Sequence, residues 1–228
     1  MTIPLLTAYN FSLSAIADNL GALGRGLVIT VEISAIGMFG SVLIGLLGAA
    51  ASTLRVPVLR QVTYVYVELF RNTPLLVQVF FLYFALPLIG PTLSAFTVGW
   101  LALVLWGGAF SVENLRAGFG AVDRRYEEAA RALGFSRTDA FRRVVLPIGL
   151  RISLPSMTNT LISVLKNSAL MLGIGLLELT GTAVKIASED FRVFEMFSVI
   201  AVIYLGLIFI LAGALHALGR RYAIHGAS

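Results

Sequence analysis

Residues 27–51 read LVITVEISAIGMFGSVLIGLLGAAA, with Glu32 as their single charged residue. An α-helix rises about 1.5 Å per residue, so a run of this length crosses the roughly 30 Å hydrocarbon core of a bilayer. Only helices and closed barrels satisfy every backbone hydrogen bond in lipid. The stretch therefore predicts a membrane-spanning helix, which makes the chain a protein of the lipid bilayer.

Four further stretches have the same apolar character. They are residues 74–89, preceded by a semi-polar segment over 61–73, and residues 96–117, 152–177 and 197–218. The whole chain is 58% hydrophobic and only 13% charged, with a mean hydropathy of +0.90, whereas soluble domains carry about a quarter charged residues. We predict an all-α membrane protein with five transmembrane helices in one domain over residues 1–228, and an interfacial segment over the first twenty residues.

Composition also excludes several function classes. The chain has no cysteine, which rules out disulfides, thiolate zinc sites and cysteine nucleophiles. His216 and His225 are too few, and too close to the end of the sequence, to predict a metal site. A net charge of +5 could suggest nucleic-acid binding, but basic cytoplasmic loops explain it in a membrane protein. We expect no nucleic-acid partner and, since the sequence starts without a basic n-region, no cleaved signal peptide.

Arginine residues alternate between the loops in step with the predicted spans. Residues 51–72 hold three arginines, residues 119–151 hold seven, and the C-terminal tail adds Arg220 and Arg221. The other loops carry Arg25, then Lys185 and Arg192 offset by acidic neighbours. Positive residues mark cytoplasmic loops, so the N-terminus is predicted outside and the C-terminus inside, which requires an odd number of spans.

Glycine is frequent within the predicted spans. Small residues let helix backbones approach closely in lipid, so we interpret these glycines as packing positions, with a gating hinge as the alternative. They are Gly37, Gly40, Gly45, Gly48, Gly107, Gly108, Gly173 and Gly175.

The longest polar loop, about 119–151, predicts two short helices. Residues 125–133 are rich in alanine and glutamate, and Gly134 can take the left-handed conformation that ends a helix. Ser136 followed by Asp139 predicts the capped start of a second helix. Proline lacks the backbone N–H, so this helix is expected to stop near Pro147.

Within this loop, Glu128, Ala129, Ala130, Gly134, Leu146 and Pro147 are spaced in a way that resembles the EAA loop of ABC importer permeases. Three further segments are similar to the polar-amino-acid branch of that family. Residues 68–78 read ELFRNTPLLVQ, residues 146–159 combine Leu-Pro, Arg151, a second Leu-Pro and Asn159, and residues 165–168 read LKNS. With residues 24–30 at the start of the first span, the resemblance covers about nine tenths of the chain.

The resemblance implies the type I ABC importer permease fold in the bacterial inner membrane. It implies a second permease subunit, two ATP-binding subunits that carry ATP and Mg²⁺, and an extracytoplasmic amino-acid-binding protein, with a polar amino acid as substrate and no cofactor on this chain. The residues expected to contact the ATPase are Glu128, Ala129, Ala130, Leu133, Gly134, Leu146 and Pro147. The sequence departs from the family pattern at 122–126, at 117–118 and at Ile148.

Two clusters of polar residues fall within predicted spans, where charge is costly and usually faces an aqueous path or the bundle interior. Helical spacing puts each cluster on one face. A translocation path is one interpretation; an internal Glu113–Arg116 pair and a Lys166 that reaches a helix end is the other. The clusters are Glu113, Asn114 and Arg116 in the third span, and Asn159, Ser163, Lys166 and Asn167 in the fourth. Glu32 and Glu178 are expected to be interfacial or structural.

From the residues alone, two energy sources for transport remain possible. The chain contains no G-x-x-x-x-G-K-[ST] phosphate loop, so ATP-driven transport would need a partner ATPase. Charged residues in spans would also suit a secondary carrier driven by an ion gradient. Five spans without an inverted repeat, together with an alanine- and glutamate-rich loop, favour the importer.

Overall fold

The computed structural model describes residues 11–222, with side chains up to residue 220, and this part of the chain contains helices and no strands. The first helix, α1 (Leu13–Thr53), begins where the Ser12 hydroxyl accepts a hydrogen bond from the Ala15 amide at 3.3 Å. The helix therefore begins fourteen residues before the predicted span and continues without interruption from Leu13 into it. At 41 residues it is about 60 Å long, so roughly half of it extends beyond the hydrocarbon core. Residues 1–10 of the expected interfacial segment lie outside the described residues.

The second predicted span is a sharply bent pair of helices. Helix α2 (Pro57–Arg71) contains the semi-polar segment, and α3 (Leu75–Phe80) continues through a π turn and a 3-10 turn to Leu88, at 104° to α2. The buried Gln78 amide fixes the bend. Its Nε2 donates to the carbonyl oxygens of Phe70 at 3.0 Å and Thr73 at 3.1 Å, and to the Thr73 hydroxyl at 2.8 Å. Pro74 precedes α3, where it has no N–H to leave unpaired.

The third predicted span matches α4 (Ala95–Gly120), which packs along α1. Glycines make the close approach possible. A Cβ atom on Gly37 would lie 2.9 Å from the Leu103 Cβ, and one on Gly45 would lie 2.5 Å from the Ser111 Cβ. Both distances are shorter than a normal carbon–carbon contact, so these glycines are packing positions, as the sequence predicted.

The polar loop folds into α5 (Arg124–Ala132) and α6 (Arg137–Ala140), as predicted, but the second helix does not stop at Pro147. A π turn over Phe141–Val145 leads directly into α7 (Leu146–Asn167), and a 3-10 turn extends it to Ile174. Proline excludes the α-helical bond to the residue four positions before it. The wider turn, in which the Leu146 N–H donates to the Phe141 carbonyl, spreads the chain just before the proline ring.

A helix that the sequence analysis did not predict follows the fourth span. It is α8 (Leu179–Asp190), inclined at 46° to the helical run Arg137–Ile174, and it precedes the last helix, α9 (Val193–Tyr222). Its buried residues recur with helical spacing at Leu179, Ala183, Ile186 and Ala187. Within residues 11–222, three helices are long and apolar enough to cross a membrane by themselves, or five spans result if each bent pair crosses as one, which is consistent with the predicted number.

Glu178, before α8, is fully buried and joins three helices. Its carboxylate accepts hydrogen bonds from the Thr180 amide (3.0 Å), the Gly181 amide (2.7 Å), the Thr30 hydroxyl (3.2 Å) and the Tyr204 hydroxyl (3.0 Å). The first two cap α8, while Thr30 belongs to α1 and Tyr204 to α9. The structural interpretation of Glu178 is therefore confirmed; Glu32 is exposed on α1.

Candidate functional site

A polar cleft of about 580 Å³ lies between the C-terminal end of α1, α2 and the C-terminal half of α4. Tyr66 holds α2 against α4, since its hydroxyl donates to the Leu105 carbonyl at 2.6 Å. Charged side chains of both signs line the cleft, with arginine in excess. They are Arg55, Arg60, Arg71, Arg116, Glu68 and Glu113.

Glu113 is the charged centre of the polar cleft. Its carboxylate accepts two hydrogen bonds from Arg116, from Nε at 2.9 Å and from Nη2 at 2.7 Å. The Arg71 Nη1 approaches the Glu113 Oε2 at 3.7 Å, and the Arg71 guanidinium also lies over the Phe110 ring at 5.2 Å. The expected Glu113–Arg116 pair is thus present, and Arg71 forms a second ion pair with the same carboxylate. The guanidinium groups remain accessible, because the side chains of Arg71 and Arg116 are 39% and 54% exposed.

Asn114 lies next to Glu113 in sequence but faces a different neighbour. Its Nδ2 donates to the Thr160 hydroxyl at 2.8 Å and to the Ser156 carbonyl at 3.3 Å, both on α7. The side chain therefore joins α4 to α7 instead of lining the polar cleft.

The second predicted cluster forms a polar stripe on α7, defined by Asn159, Ser163, Lys166 and Asn167. Asn159 and Lys166 are exposed, and Ser163 and Asn167 are partly so. The Ser163 hydroxyl donates back to the Asn159 carbonyl at 2.9 Å. Within residues 11–222, no hydrogen bond or ion pair joins the polar stripe to Glu113. The described chain leaves this polar face uncovered.

The docking loop, defined as residues 123–147, presents an exposed face on α5. Glu128 and Ala129 are exposed, and the large aliphatic side chain of Leu133 is 79% exposed. Ala130 points the other way and is buried. Of the residues expected to contact an ATPase, Leu146 is partly buried and Pro147 is exposed.

Local geometry within the docking loop agrees with the sequence prediction. Gly134 has φ of +88°, the left-handed region expected of it, and a Cβ atom there would meet nothing within 4 Å. The Ser136 hydroxyl caps α6 by accepting from the Asp139 amide at 3.1 Å, and it also contacts the Asp139 carboxylate. The Arg137 Nη2 donates to the Thr53 carbonyl at 3.2 Å, which ties the loop to the end of α1.

Arg55 lies where the docking loop and the polar cleft meet. It lines the polar cleft and also a second cleft, of about 290 Å³, whose other lining residues are all in the docking loop. Its φ is +57°, a conformation that normally favours glycine after a helix. The amides of Arg55 and Val56 bond back to Ser52 (3.2 Å) and Ala51 (3.1 Å), which closes the end of α1.

Sequence reasoning placed Arg55 and Arg71 in basic segments but did not assign them to a site. The signal for Arg71 was its position just before the Asn72-Thr73-Pro74 bend, which turns the chain beside α4. No sequence signal pointed to a left-handed Arg55. Among the described residues, no group of three or more histidine, aspartate or glutamate side chains is arranged to hold a metal ion.

Comparison with known proteins relates this arrangement to transport proteins. The sequence profile of the family described as "Binding-protein-dependent transport system inner membrane component" matches residues 41–224. A probable amino-acid ABC transporter permease, PatM of Vibrio harveyi, is 36% identical over 89% of this chain and 91% of its own length. The glutamine transport system permease GlnP of Escherichia coli is 36% identical over 94% of this chain and 99% of its own length.

Solved structures agree with the sequence relatives. A chain from the crystal structure of an amino acid ABC transporter with histidines superposes with a TM-score of 0.85 at 33% identity, covering 93% of this chain and 99% of the other. The inward-facing MetNI methionine ABC transporter shares the fold, with a TM-score of 0.78 at 19% identity over 91% of this chain and 99% of the other. The chain therefore belongs to the family of binding-protein-dependent transport system inner membrane components, together with the amino-acid permeases of ABC transporters.

Proposed function

We propose that this chain is the membrane-spanning subunit that moves a polar amino acid into the bacterial cell, driven by ATP hydrolysis on a partner subunit. The observation that carries the proposal is the uninterrupted helical run from Arg137 to Ile174. It joins the docking loop directly to the polar stripe, so a movement of the loop is transmitted to the membrane-spanning part of α7. A secondary carrier has no ATPase subunit to engage such a loop, so this connection favours the importer.

The docking loop is the proposed contact with the ATPase. Glu128, Ala129 and Leu133 provide an exposed helix face with one large apolar side chain, which suits insertion into a groove of a partner. Ala130 instead packs α5 against the rest of the chain. Gly134 sets the crossing of α5 and α6, and Leu146 and Pro147 begin the helix that leads into the membrane. ATP and Mg²⁺ would then be held by the ATPase.

The polar cleft and the polar stripe are the proposed lining of the amino-acid path. A zwitterionic amino acid has a carboxylate and an ammonium group. The exposed guanidinium groups of Arg71 and Arg116 suit the carboxylate, while Glu113 holds both arginines and suits the ammonium group. Asn159 adds a neutral donor and acceptor from α7. Glu113 offsets part of the positive charge of the two arginines, and the excess positive charge that remains favours the substrate carboxylate.

The uncovered polar stripe also supports a second permease subunit. A polar face on a membrane-spanning helix is unfavourable against lipid, so it needs water or another protein chain beside it. A second permease, either another copy or a sister chain, would enclose the path between the two stripes. Two ATP-binding subunits and an extracytoplasmic amino-acid-binding protein complete the proposed assembly, with the N-terminus outside the cell and the docking loop in the cytoplasm.

The path is tested by measuring amino-acid uptake in proteoliposomes that contain the assembled transporter, with Glu113→Gln and Asn159→Ala as variants. Removing a charged hydrogen bond to the substrate is worth about 1.5–3 kcal/mol, so Glu113→Gln should lower uptake at least about ten-fold. Asn159→Ala, which removes a neutral group, should have a smaller effect or change selectivity.

Assembly and ATPase activity stimulated by the binding protein are measured in parallel, and Glu189→Gln on α8 is the control, because Glu189 is 63% exposed and outside the polar cleft. Normal uptake of the same amino acids by both variants would refute the path. Failure to assemble would assign Glu113 and Asn159 a purely structural role. Uptake that continues without ATP would instead support an ion-driven carrier.

A further inference from the structure

An aliphatic groove of about 440 Å³ shares no lining residue with the polar cleft. Helices α1, α4, α7 and α9 form it, and its lining is aliphatic except for Arg151, Ser153 and Thr158. The apolar lining residues are Val42, Leu46, Leu115, Pro147, Leu150, Leu154, Met157, Leu161, Leu215 and Leu218. We propose that this groove binds one anionic phospholipid, with an acyl chain against the leucines and the phosphate group at Arg151.

The charged end of the groove has a defined position. Arg151 lies on α7 four residues after Pro147, so it is at the end of the groove next to the docking loop. Its side chain is exposed, and among residues 11–220, whose side chains are described, none forms a hydrogen bond or ion pair with it. Leu218 of α9 lines the same groove, and Arg220 follows it by two residues. Basic pockets between helices at the cytoplasmic end of a membrane protein suit anionic lipid headgroups.

The walls of the groove indicate lipid and not a further helix. Helices pack against one another in membranes through small residues, as α1 and α4 do at Gly37 and Gly45. The groove has no glycine or alanine in its lining. Its outer wall, α9, is also the least buried of the three long apolar helices in the described chain and has the highest mean hydropathy, 2.6, so its surface suits contact with lipid.

Charge and shape therefore select one occupant. An acyl chain adapts to an irregular aliphatic surface. The phosphate group is a negatively charged partner for the exposed Arg151, which has no acidic partner within the described chain. The proposal does not depend on the path of the amino acid. It relies on the proposed orientation only to name the leaflet, which would be the cytoplasmic one.

The test is native mass spectrometry of the purified transporter exchanged into mixed micelles with either phosphatidylglycerol or phosphatidylcholine of identical acyl chains. We expect the wild type to retain phosphatidylglycerol in preference. One arginine near a membrane surface contributes enough attraction for roughly a five-fold change, so Arg151→Gln should reduce that preference by this factor. Lys185→Gln is the control, since it removes one exposed positive charge from α8, outside both the groove and the docking loop.

A second variant tests the aliphatic part of the site. Leu154→Trp should fill the groove and lower the retention of both lipids while the transporter stays assembled. Equal retention of the two lipids by the wild type, or an unchanged preference in Arg151→Gln, would overturn the proposal. So would a disulfide between two copies of a Leu154→Cys variant, because a second chain would then cover the groove; the natural chain has no cysteine to confuse this result.

Discussion

Glu178 is the residue on which the packing of α1, α8 and α9 depends most directly. Glu178→Ala would remove the cap of α8 and leave the Thr30 and Tyr204 hydroxyls without their buried acceptor. A lost cap and an unsatisfied buried donor each cost about 1–2 kcal/mol, so the total loss should be on the order of 3 kcal/mol. Glu178→Gln keeps one carbonyl acceptor and should be milder.

The measurement is the apparent melting temperature of the purified transporter, with Glu32→Gln as the control because Glu32 is exposed on α1. We expect a clear decrease for Glu178→Ala, a smaller one for Glu178→Gln and none for the control. An unchanged melting temperature in Glu178→Ala would mean that the four hydrogen bonds contribute no net stability.

Glu178 also shows which properties of a single residue cannot be predicted from its neighbours in sequence. The left-handed Gly134 and the Ser136 cap were predictable because their causes lie within a few neighbouring residues. The partners of Glu178 lie 148 and 26 residues away in sequence, at Thr30 and Tyr204. The burial of Glu178 and the helix that it caps therefore follow from packing between distant segments, which no local pattern contains.

At the scale of an element, the crossing of α5 and α6 depends on the left-handed backbone of Gly134. A side chain there would contact nothing within 4 Å, so any effect of substitution comes from the φ of +88°. A β-branched residue is strongly disfavoured in this region, at roughly 1–2 kcal/mol or more. Gly134→Val should therefore reduce co-purification of the ATPase and uptake, while insertion into the membrane persists.

Gly134→Asn is the matched control, because asparagine adopts left-handed conformations more easily and should keep most of both activities. Normal co-purification and uptake in Gly134→Val would exclude a docking role for this crossing.

The helix after the crossing shows which helix boundary the sequence did not predict. Pro147 was expected to end it, and the π turn that carries the helix past the proline depends on packing of Phe141 and Val145, which are both buried.

For the whole molecule, the arginine pattern predicts which ends of the helices face the cytoplasm. Thr92 precedes α4 and Ser188 lies near the end of α8, whereas Thr138 is in the docking loop. Since the chain has no cysteine, single thiols can be placed at these exposed positions without background. Thiols at 92 and 188 should react with an impermeant reagent added to intact cells, and a thiol at 138 should react only after lysis. The opposite pattern would invert the topology.

The fold class was predictable at this scale because lipid imposes helices on any chain with long apolar runs. The sequence did not reveal the 104° bend between α2 and α3 or the position of the polar cleft. The position of the polar cleft depends on how α2 lies across α4, which is fixed by contacts such as the Tyr66 hydroxyl on the Leu105 carbonyl. The bend is held by the hydrogen bonds of the Gln78 amide, which no apolar pattern in the sequence indicates.

The uninterrupted helix between the docking loop and the polar stripe has a geometric consequence. Each residue of an α-helix advances the chain by about 100° around its axis. The direction in which Asn159 and Lys166 point, relative to the docking loop, is therefore set by the number of residues between them. Substitutions that keep the π turn Phe141–Val145 would leave this angle unchanged, whereas the loss of one helical residue would rotate the polar stripe by more than a quarter turn. The length of this segment therefore determines the direction in which the polar stripe faces relative to the docking loop.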